Sequence, residues 1–108
     1  MYTWTRTNTV NVTGIPNNDL TPGNGVISGS LVNNTTSNQT VIFTFTPIYE
    51  GCNGTTTTAT VIVYPTPTAA TTNSTQTICS GNNIAAINFT GISGTTYNWT
   101  RSNTTNVT

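Results

Sequence analysis

The sequence predicts an all-β protein built as an antiparallel sandwich. Thr and Asn make up roughly two fifths of the 108 residues, whereas good helix formers such as Leu, Glu, Lys and Met are nearly absent. Two Trp, four Tyr and three Phe, with a net charge of zero, distinguish the chain from disordered sequences, which combine low hydrophobicity with high net charge. Short alternating segments separated by clusters of Gly, Asn and Pro are typical of a sandwich of short strands.

The first strand is predicted at the opening motif "YTWTRTNTVNVT", where Tyr2 and Trp4 lie two residues apart and share a face. Arg6 follows the same alternation, so we expect it at a strand end, where it reaches solvent or covers the Trp ring. The next stretch, "IPNNDLTPGNG", predicts a loop. The segment "VISGSLV" then places Ile27 and Leu31 on one face of a further strand.

A hairpin is predicted in the middle of the chain. The segment "QTVIFTFTP" alternates with Val41, Phe43 and Phe45 on one face, and "TTATVIVYP" repeats the pattern with Val61 and Val63 inward. Between them, "IYEGCNGT" supplies residues that favour a turn.

The last part of the chain predicts a connector followed by more strands. The Pro- and Thr-rich stretch at 66–77 indicates an extended linker. In "IAAINFTG", Ile87 and Phe89 share a face, and the closing motif "YNWTRSNTTNVT" repeats the opening one. The predicted core residues are Trp4, Phe43, Phe45, Val61, Val63, Phe89 and Trp99.

The repeated motif defines a period. Tyr2 and Tyr97 lie about 95 residues apart, close to the roughly 100 residues of one immunoglobulin-like sandwich. We therefore expect residues 1–65 to be the later strands of one module, 66–77 a connector, and 78–108 the first strands of the next module. In the alternative, residues 1–108 close as one permuted or strand-exchanged sandwich.

Once the period is taken into account, the order "QTICSGN", "INFTG", "TTYNWTRSN", "ISGSLVN" and "QTVIFTFTPIYEGCNGTTTTATVIVYPTP" resembles a known class of repeats. It is similar to the PKD-like, immunoglobulin-like tandem repeats of very large Bacteroidota surface adhesins, including gliding-motility adhesins, that the type IX system secretes. The resemblance implies an extracellular, cell-surface location and a role as a spacer or stalk in a long adhesin or filament.

The two cysteines fit an exported module. With no His and no CxxC pair, they favour a disulfide over a metal site. An immunoglobulin-like arrangement puts Cys79 near a later copy of Cys52, so we expect each to pair with an equivalent cysteine of a neighbouring repeat. If residues 1–108 instead close as one permuted sandwich, Cys52 would pair with Cys79 within the chain.

The sequence offers little for catalysis or for charged partners. It has no Lys or His, and its acidic side chains are Asp19 and Glu50, which we interpret as a turn residue and a solvated hairpin residue. We therefore expect no enzyme activity, no cofactor and no metal, because calcium also requires more oxygen ligands. A nearly uncharged surface argues against nucleic acid, and no apolar run is long enough for membrane insertion.

The expected partners are neighbouring repeats or copies of the same chain, which could complement one another head to tail by strand donation. A surface glycan or a host or substratum ligand would be bound through another part of the protein. The rival hypothesis is a carbohydrate-binding module of a secreted enzyme. An exposed aromatic row would favour that rival, whereas burial of Trp4 and Trp99 would favour the spacer.

Overall fold

The computed structural model describes all residues, 1–108, and divides them into two units, Met1–Thr66 and Pro67–Thr108. Every regular element is a β-strand. Unit 1 contains β1 (Tyr2–Arg6), β2 (Val12–Thr13), β3 (Asn18–Gly23), β4 (Val32–Asn33), β5 (Gln39–Tyr49), β6 (Cys52–Asn53) and β7 (Thr57–Val63), and unit 2 contains β8 (Ala70–Thr71) and β9 (Phe89–Thr90). All pairings are antiparallel, and the prediction of an all-β, immunoglobulin-like fold is confirmed.

The main sheet of unit 1 is organised around β5. One edge of β5 pairs with β1, so that Trp4 lies opposite Phe45 and Arg6 opposite Phe43. The other edge pairs with β7, where Val41 lies opposite Val61. The β5–β7 pairing confirms the predicted central hairpin, and β3 extends the sheet on the far side of β1.

The hairpin reverses through a two-residue turn. Tyr49 pairs with Cys52 across it. The two central residues, Glu50 and Gly51, have φ values of 48° and 79°. Positive φ at both positions is the geometry whose twist matches that of the flanking strands. Glu50 is therefore a turn residue at the exposed tip of the hairpin.

The strand β3 corrects the loop that the sequence predicts between the first two apolar segments. It pairs with β1 at the edge of the sheet, with Trp4 opposite Asp19. Its side chains are nearly all exposed, so its sequence shows no alternation of apolar and polar residues. Pro22 is tolerated because an edge strand has one row of backbone groups that needs no partner.

The core of unit 1 is small. Its buried apolar side chains are Trp4, Val12, Ile15, Val41 and Phe43. The rings of Trp4 and Phe43 meet edge to face, with centroids 5.7 Å apart. Phe45 and Val63 are partly buried against this cluster. Val61, which the sequence places in the core, is 40% exposed, because no strand covers that face of β7.

Unit 2 is a hairpin followed by the second copy of the motif. Thr71 pairs with Phe89, and the side chain of Gln76 extends the pairing. Its Oε1 accepts from the backbone N–H of Ala85 at 2.8 Å, and its Nε2 donates to the carbonyl oxygen of Ala85 at 2.9 Å. Strand β8 thus lies within the stretch that the sequence assigns to the connector. Phe89 and Trp99, both predicted core residues, are 39% and 71% exposed, because unit 2 has no second sheet of its own.

No helix in the structure could span a membrane.

Candidate functional site

The side chain of Arg6 is buried in a cage of carbonyl groups. Strand β1 directs it to the same face as Trp4, and it is only 8% exposed. Its Nε donates to the carbonyl oxygens of Ile15 and Pro16 at 3.0 and 3.1 Å, and its Nη2 donates to that of Val12 at 3.1 Å. These bonds tie β1 to the loop that follows it.

This burial corrects the expectation that Arg6 reaches solvent or covers the Trp ring. A buried guanidinium is costly unless its donors are satisfied. Further contacts at 3.4 Å to the carbonyl oxygens of Thr7 and Asn8, and to the side-chain oxygen of Asn17, complete the set. No buried side-chain nitrogen or oxygen in the structure lacks a hydrogen-bond partner. The signal available in the sequence was the loop after Arg6, which supplies these carbonyls.

The second copy of the motif forms the same loop as the first, although its residues 97–101 form no strand. Arg101 donates to the carbonyl oxygen of Val107 at 3.0 Å, which is the bond that the first copy makes from its arginine to Val12. Asn103 and Asn8 have φ values of 54° and 56°. In each copy the N–H of the valine donates to the carbonyl of that asparagine at 3.3 Å. The motif therefore specifies a loop, whereas its burial depends on the surrounding strands.

An open apolar groove runs over the β5–β7 pair of unit 1. It has a volume of about 580 Å³, and none of the residues that line it is charged. Its apolar lining includes Ile27, Leu31, Phe45, Val61 and Val63. The groove is therefore the candidate interaction surface of unit 1.

Unit 2 has an apolar surface of its own. It is formed by Ile84, Ile87, Phe89 and Trp99, with Arg101 beside them. The ring of Phe89 lies 5.4 Å from that of Tyr97. These aliphatic and aromatic side chains resemble the inner face of a sandwich strand.

The two cysteines are exposed free thiols and form no disulfide with each other. Cys52 lies in unit 1 beside Tyr2 and Pro47. Cys79 lies in the turn between the two arms of the unit 2 hairpin, beside Val107. The pairing of each with a cysteine of a neighbouring repeat stays a prediction.

The two acidic residues of unit 1 occupy separate positions in the sheet and its hairpin. Asp19 lies in the edge strand β3, which corrects the prediction of a turn residue, and its side chain accepts a hydrogen bond from the backbone N–H of Thr21 at 3.0 Å. Glu50 occupies the tip of the central hairpin. No cluster of three or more His, Cys, Asp or Glu residues is present.

Comparison with known families gives one match. Residues 1–67, more than half of the chain, match the family model of the PKD-like domain. The matched stretch contains the whole main sheet, the caged arginine and the apolar groove. No curated protein and no solved structure matches the chain.

Proposed function

Since this chain belongs to the PKD-like domain family, we propose that it is a repeat module that serves as a spacer in a long extracellular adhesin or cell-surface filament. Domains of this family are typically non-catalytic structural modules and are generally extracellular. The adhesin setting, with secretion by the type IX system of Bacteroidota, is part of the proposal. It rests on the resemblance of the repeat to the modules of those proteins.

The observation that carries the proposal is the repeated motif. Both copies, about 95 residues apart, form the same arginine-to-carbonyl loop. A local structure that recurs after one domain length is typical of a tandem array, in which each repeat contacts its neighbours and the stability is shared along the array. A spacer also benefits from a surface with few charges, since its stability then depends little on pH and salt.

We include in the proposal that copies of the chain associate head to tail by strand complementation. Unit 1 has an uncovered apolar groove, and unit 2 has an apolar strand face without a second sheet. A segment that adds a strand to an exposed sheet edge gains main-chain hydrogen bonds and buries alternate side chains. Repeats in a longer protein would complete one another in the same way.

Small-angle scattering of arrays of two, four and six repeats tests the spacer role. The 11 residues of β5 span about 36 Å, so we expect the maximum dimension to increase by a constant ~35–40 Å per added repeat. A maximum dimension that stays constant as repeats are added, as for a compact multidomain body, would contradict the spacer role.

The rival function, carbohydrate binding, is favoured by the exposure of Trp99, which is 71%. The surface around Trp99 is formed mainly by apolar Ile84, Ile87 and Phe89. Its polar residues are Thr100 and Arg101, and Arg101 already donates to the carbonyl oxygen of Val107, whereas a ligand site has a small number of placed polar groups that fix orientation. Calorimetric titration with a panel of soluble polysaccharides separates the two functions. We expect no binding; saturable heat that W99A abolishes would instead support the carbohydrate-binding module.

A further inference from the structure

The two units each contain part of a second sheet. In an immunoglobulin-like sandwich, strands C, F and G form one sheet, and strands A and B join strand E in the other. In unit 1, β1, β5 and β7 are in the positions of C, F and G, and β4, which precedes β5, is in that of E. Unit 2 supplies an antiparallel pair that precedes the second copy of the motif whose first copy forms strand C, which is the order of A and B.

Both parts have a strand edge without a partner. Strand β4 pairs on one edge with β2, and its other edge carries no strand. Strand β9 pairs on one edge with β8, and the opposite edge is likewise free. Neither strand carries a charged residue or a proline, the features that commonly protect exposed edges.

We propose that the β8–β9 hairpin of a second copy of this chain covers the groove of unit 1, with β9 adding along the free edge of β4. Ile87 and Phe89, which share a face of the strand, then insert toward Phe45 and Val63 in the groove. The hairpin contains about 20 residues, the lower end of what one side of a stable interface needs. This inference rests on the head-to-tail association proposed above and assigns its surfaces.

The repeated motif fixes the orientation of the seated hairpin. Strand β9 ends at Thr90, shortly before Tyr97, which is the equivalent of Tyr2. Because residues 97–108 repeat 2–13 in sequence, the hairpin precedes Tyr97 as strand B precedes strand C in a complete module. The end of the hairpin formed by Ala70 and Thr90 therefore lies at the Tyr2 end of unit 1. The turn that carries Cys79 then lies at the opposite end.

A second copy is the occupant because the connector is too short for the chain's own hairpin. From Val63 to Ala70 the backbone extends at most ~25 Å. Val63 pairs with Gln39, and the Tyr2 end lies at Pro47 of the same strand. The rise along that strand is about 26 Å, and the other sheet lies about 10 Å away at right angles to it. The straight-line distance to be spanned, the diagonal of these two, is therefore about 28 Å.

The same orientation assigns the surroundings of Cys79. In unit 2, Cys79 lies beside Asn106 and Val107, and the repeat makes Asn106 equivalent to Asn11. In the proposed complex, the motif of the first copy takes the place that residues 97–108 of the second copy occupy beside its hairpin, so that Cys79 of the second copy lies near Asn11. Cys52 is near the Tyr2 end, so it is separated from that thiol by at least the length of β1, about 13 Å, beyond the ~7 Å reach of a disulfide. The proposed arrangement therefore replaces the pairing of Cys79 with Cys52 of a neighbouring repeat that the sequence predicts.

A mixed cross-linking experiment tests this arrangement. One chain carries N11C with C52S and C79S, the other carries C52S with its native Cys79, and one of them bears a size tag. With oxidised glutathione as the oxidant, a thiol of each chain loses its proton and the oxidant is reduced as the inter-chain disulfide forms. We expect a tagged heterodimer joined by a disulfide between N11C of one chain and Cys79 of the other. The control pair of C79S and C52S chains, in which the available thiols are Cys52 of one chain and Cys79 of the other, should give at least about tenfold less cross-linked heterodimer.

Cross-linking of the control pair in place of the N11C pair would overturn the orientation. In a single chain with N11C, C52S and native Cys79, an intrachain bond that excludes dimers would overturn the assignment to a second copy.

Sedimentation equilibrium of full-length chains provides an independent measurement. F89D changes the hairpin and V61D changes the groove, so each should raise the dissociation constant for self-association at least about 100-fold. L20D, at a residue of the edge strand β3 that is 65% exposed and does not line the groove, is the matched control and should leave it unchanged. Association that survives both F89D and V61D would refute the assigned surfaces while leaving self-assembly intact. A wild-type chain that stays monomeric would refute both the assigned surfaces and self-assembly. The spacer role is tested separately by the scattering of tandem arrays.

Discussion

Replacement of Arg6 by methionine should destabilise unit 1 far more than the same change at Arg101. R6M removes the donors that satisfy the carbonyl oxygens of Val12 and Ile15. Each carbonyl left buried without a partner costs about 1–3 kcal/mol. The loss is partly offset because a buried guanidinium no longer has to be desolvated and methionine fills part of its volume. We expect a net loss of about 2–4 kcal/mol in the free energy of unfolding.

Arg101 is the matched control within the same chain. It makes the equivalent bond to Val107 but is exposed, so R101M should change the free energy of unfolding by less than about 0.5 kcal/mol.

Urea denaturation followed by tryptophan fluorescence measures both variants. A W99F background leaves the buried Trp4 as the single reporter of unit 1. The melting temperature of the R6M protein should fall by about 10–25 °C. An R6M protein within about 0.5 kcal/mol of its parent would refute the view that the carbonyl cage stabilises the fold, as would equal effects at the two arginines.

Three further predictions concern the fold itself. G14A should destabilise unit 1 by at least about 1 kcal/mol in urea denaturation, because Gly14 has a φ of 118° and its backbone lies against the carbonyl of Ser30. The control is G94A, where an added Cβ contacts no other atom. Equal effects of the two substitutions would contradict the close-contact argument. F43A should lower the free energy of unfolding by about 3–5 kcal/mol and I42A by less than about 1.5 kcal/mol in the same assay. The reason is that Phe43 is 4% exposed, whereas Ile42, on the opposite face of the strand, is 36% exposed. Similar losses of stability would contradict the assigned core face. The chain has no His or Lys, so its melting temperature in calorimetry should change by less than about 5 °C between about pH 5 and 9; a larger change would contradict the view that charge contributes little.

The sequence predicted the strands whose burial alternates. Val41 and Phe43 are buried at positions that the alternation of "QTVIFTFTP" assigns to the inner face. The turn formers around Gly51 correctly located the reversal between β5 and β7. Local pattern is sufficient in such segments, because one face of the strand is covered by residues of the same unit.

Prediction from the sequence failed where the structure depends on partners that the pattern of residue types does not identify. Strand β3 was missed because an exposed edge strand needs no alternation, and the burial of Arg6 was missed because its partners are backbone carbonyls, which any residue type can supply. Val61, Phe89 and Trp99 alternate like core residues yet are exposed. Their pattern indicates faces that a second sheet would cover, and neither unit contains that complete sheet.

Hydrogen exchange of the wild-type chain at low and high protein concentration tests the central claim most directly, namely that the repeat completes its sandwich with another copy. Two segments that present free edges, Ile27–Asn33 of unit 1 and Ile84–Thr90 of unit 2, should exchange rapidly in dilute solution and become at least about tenfold protected as association saturates, because β9 and β4 then share main-chain hydrogen bonds. The exposed strand β3 serves as an internal control with unchanged exchange. Exchange rates in both segments that are independent of concentration would contradict the account.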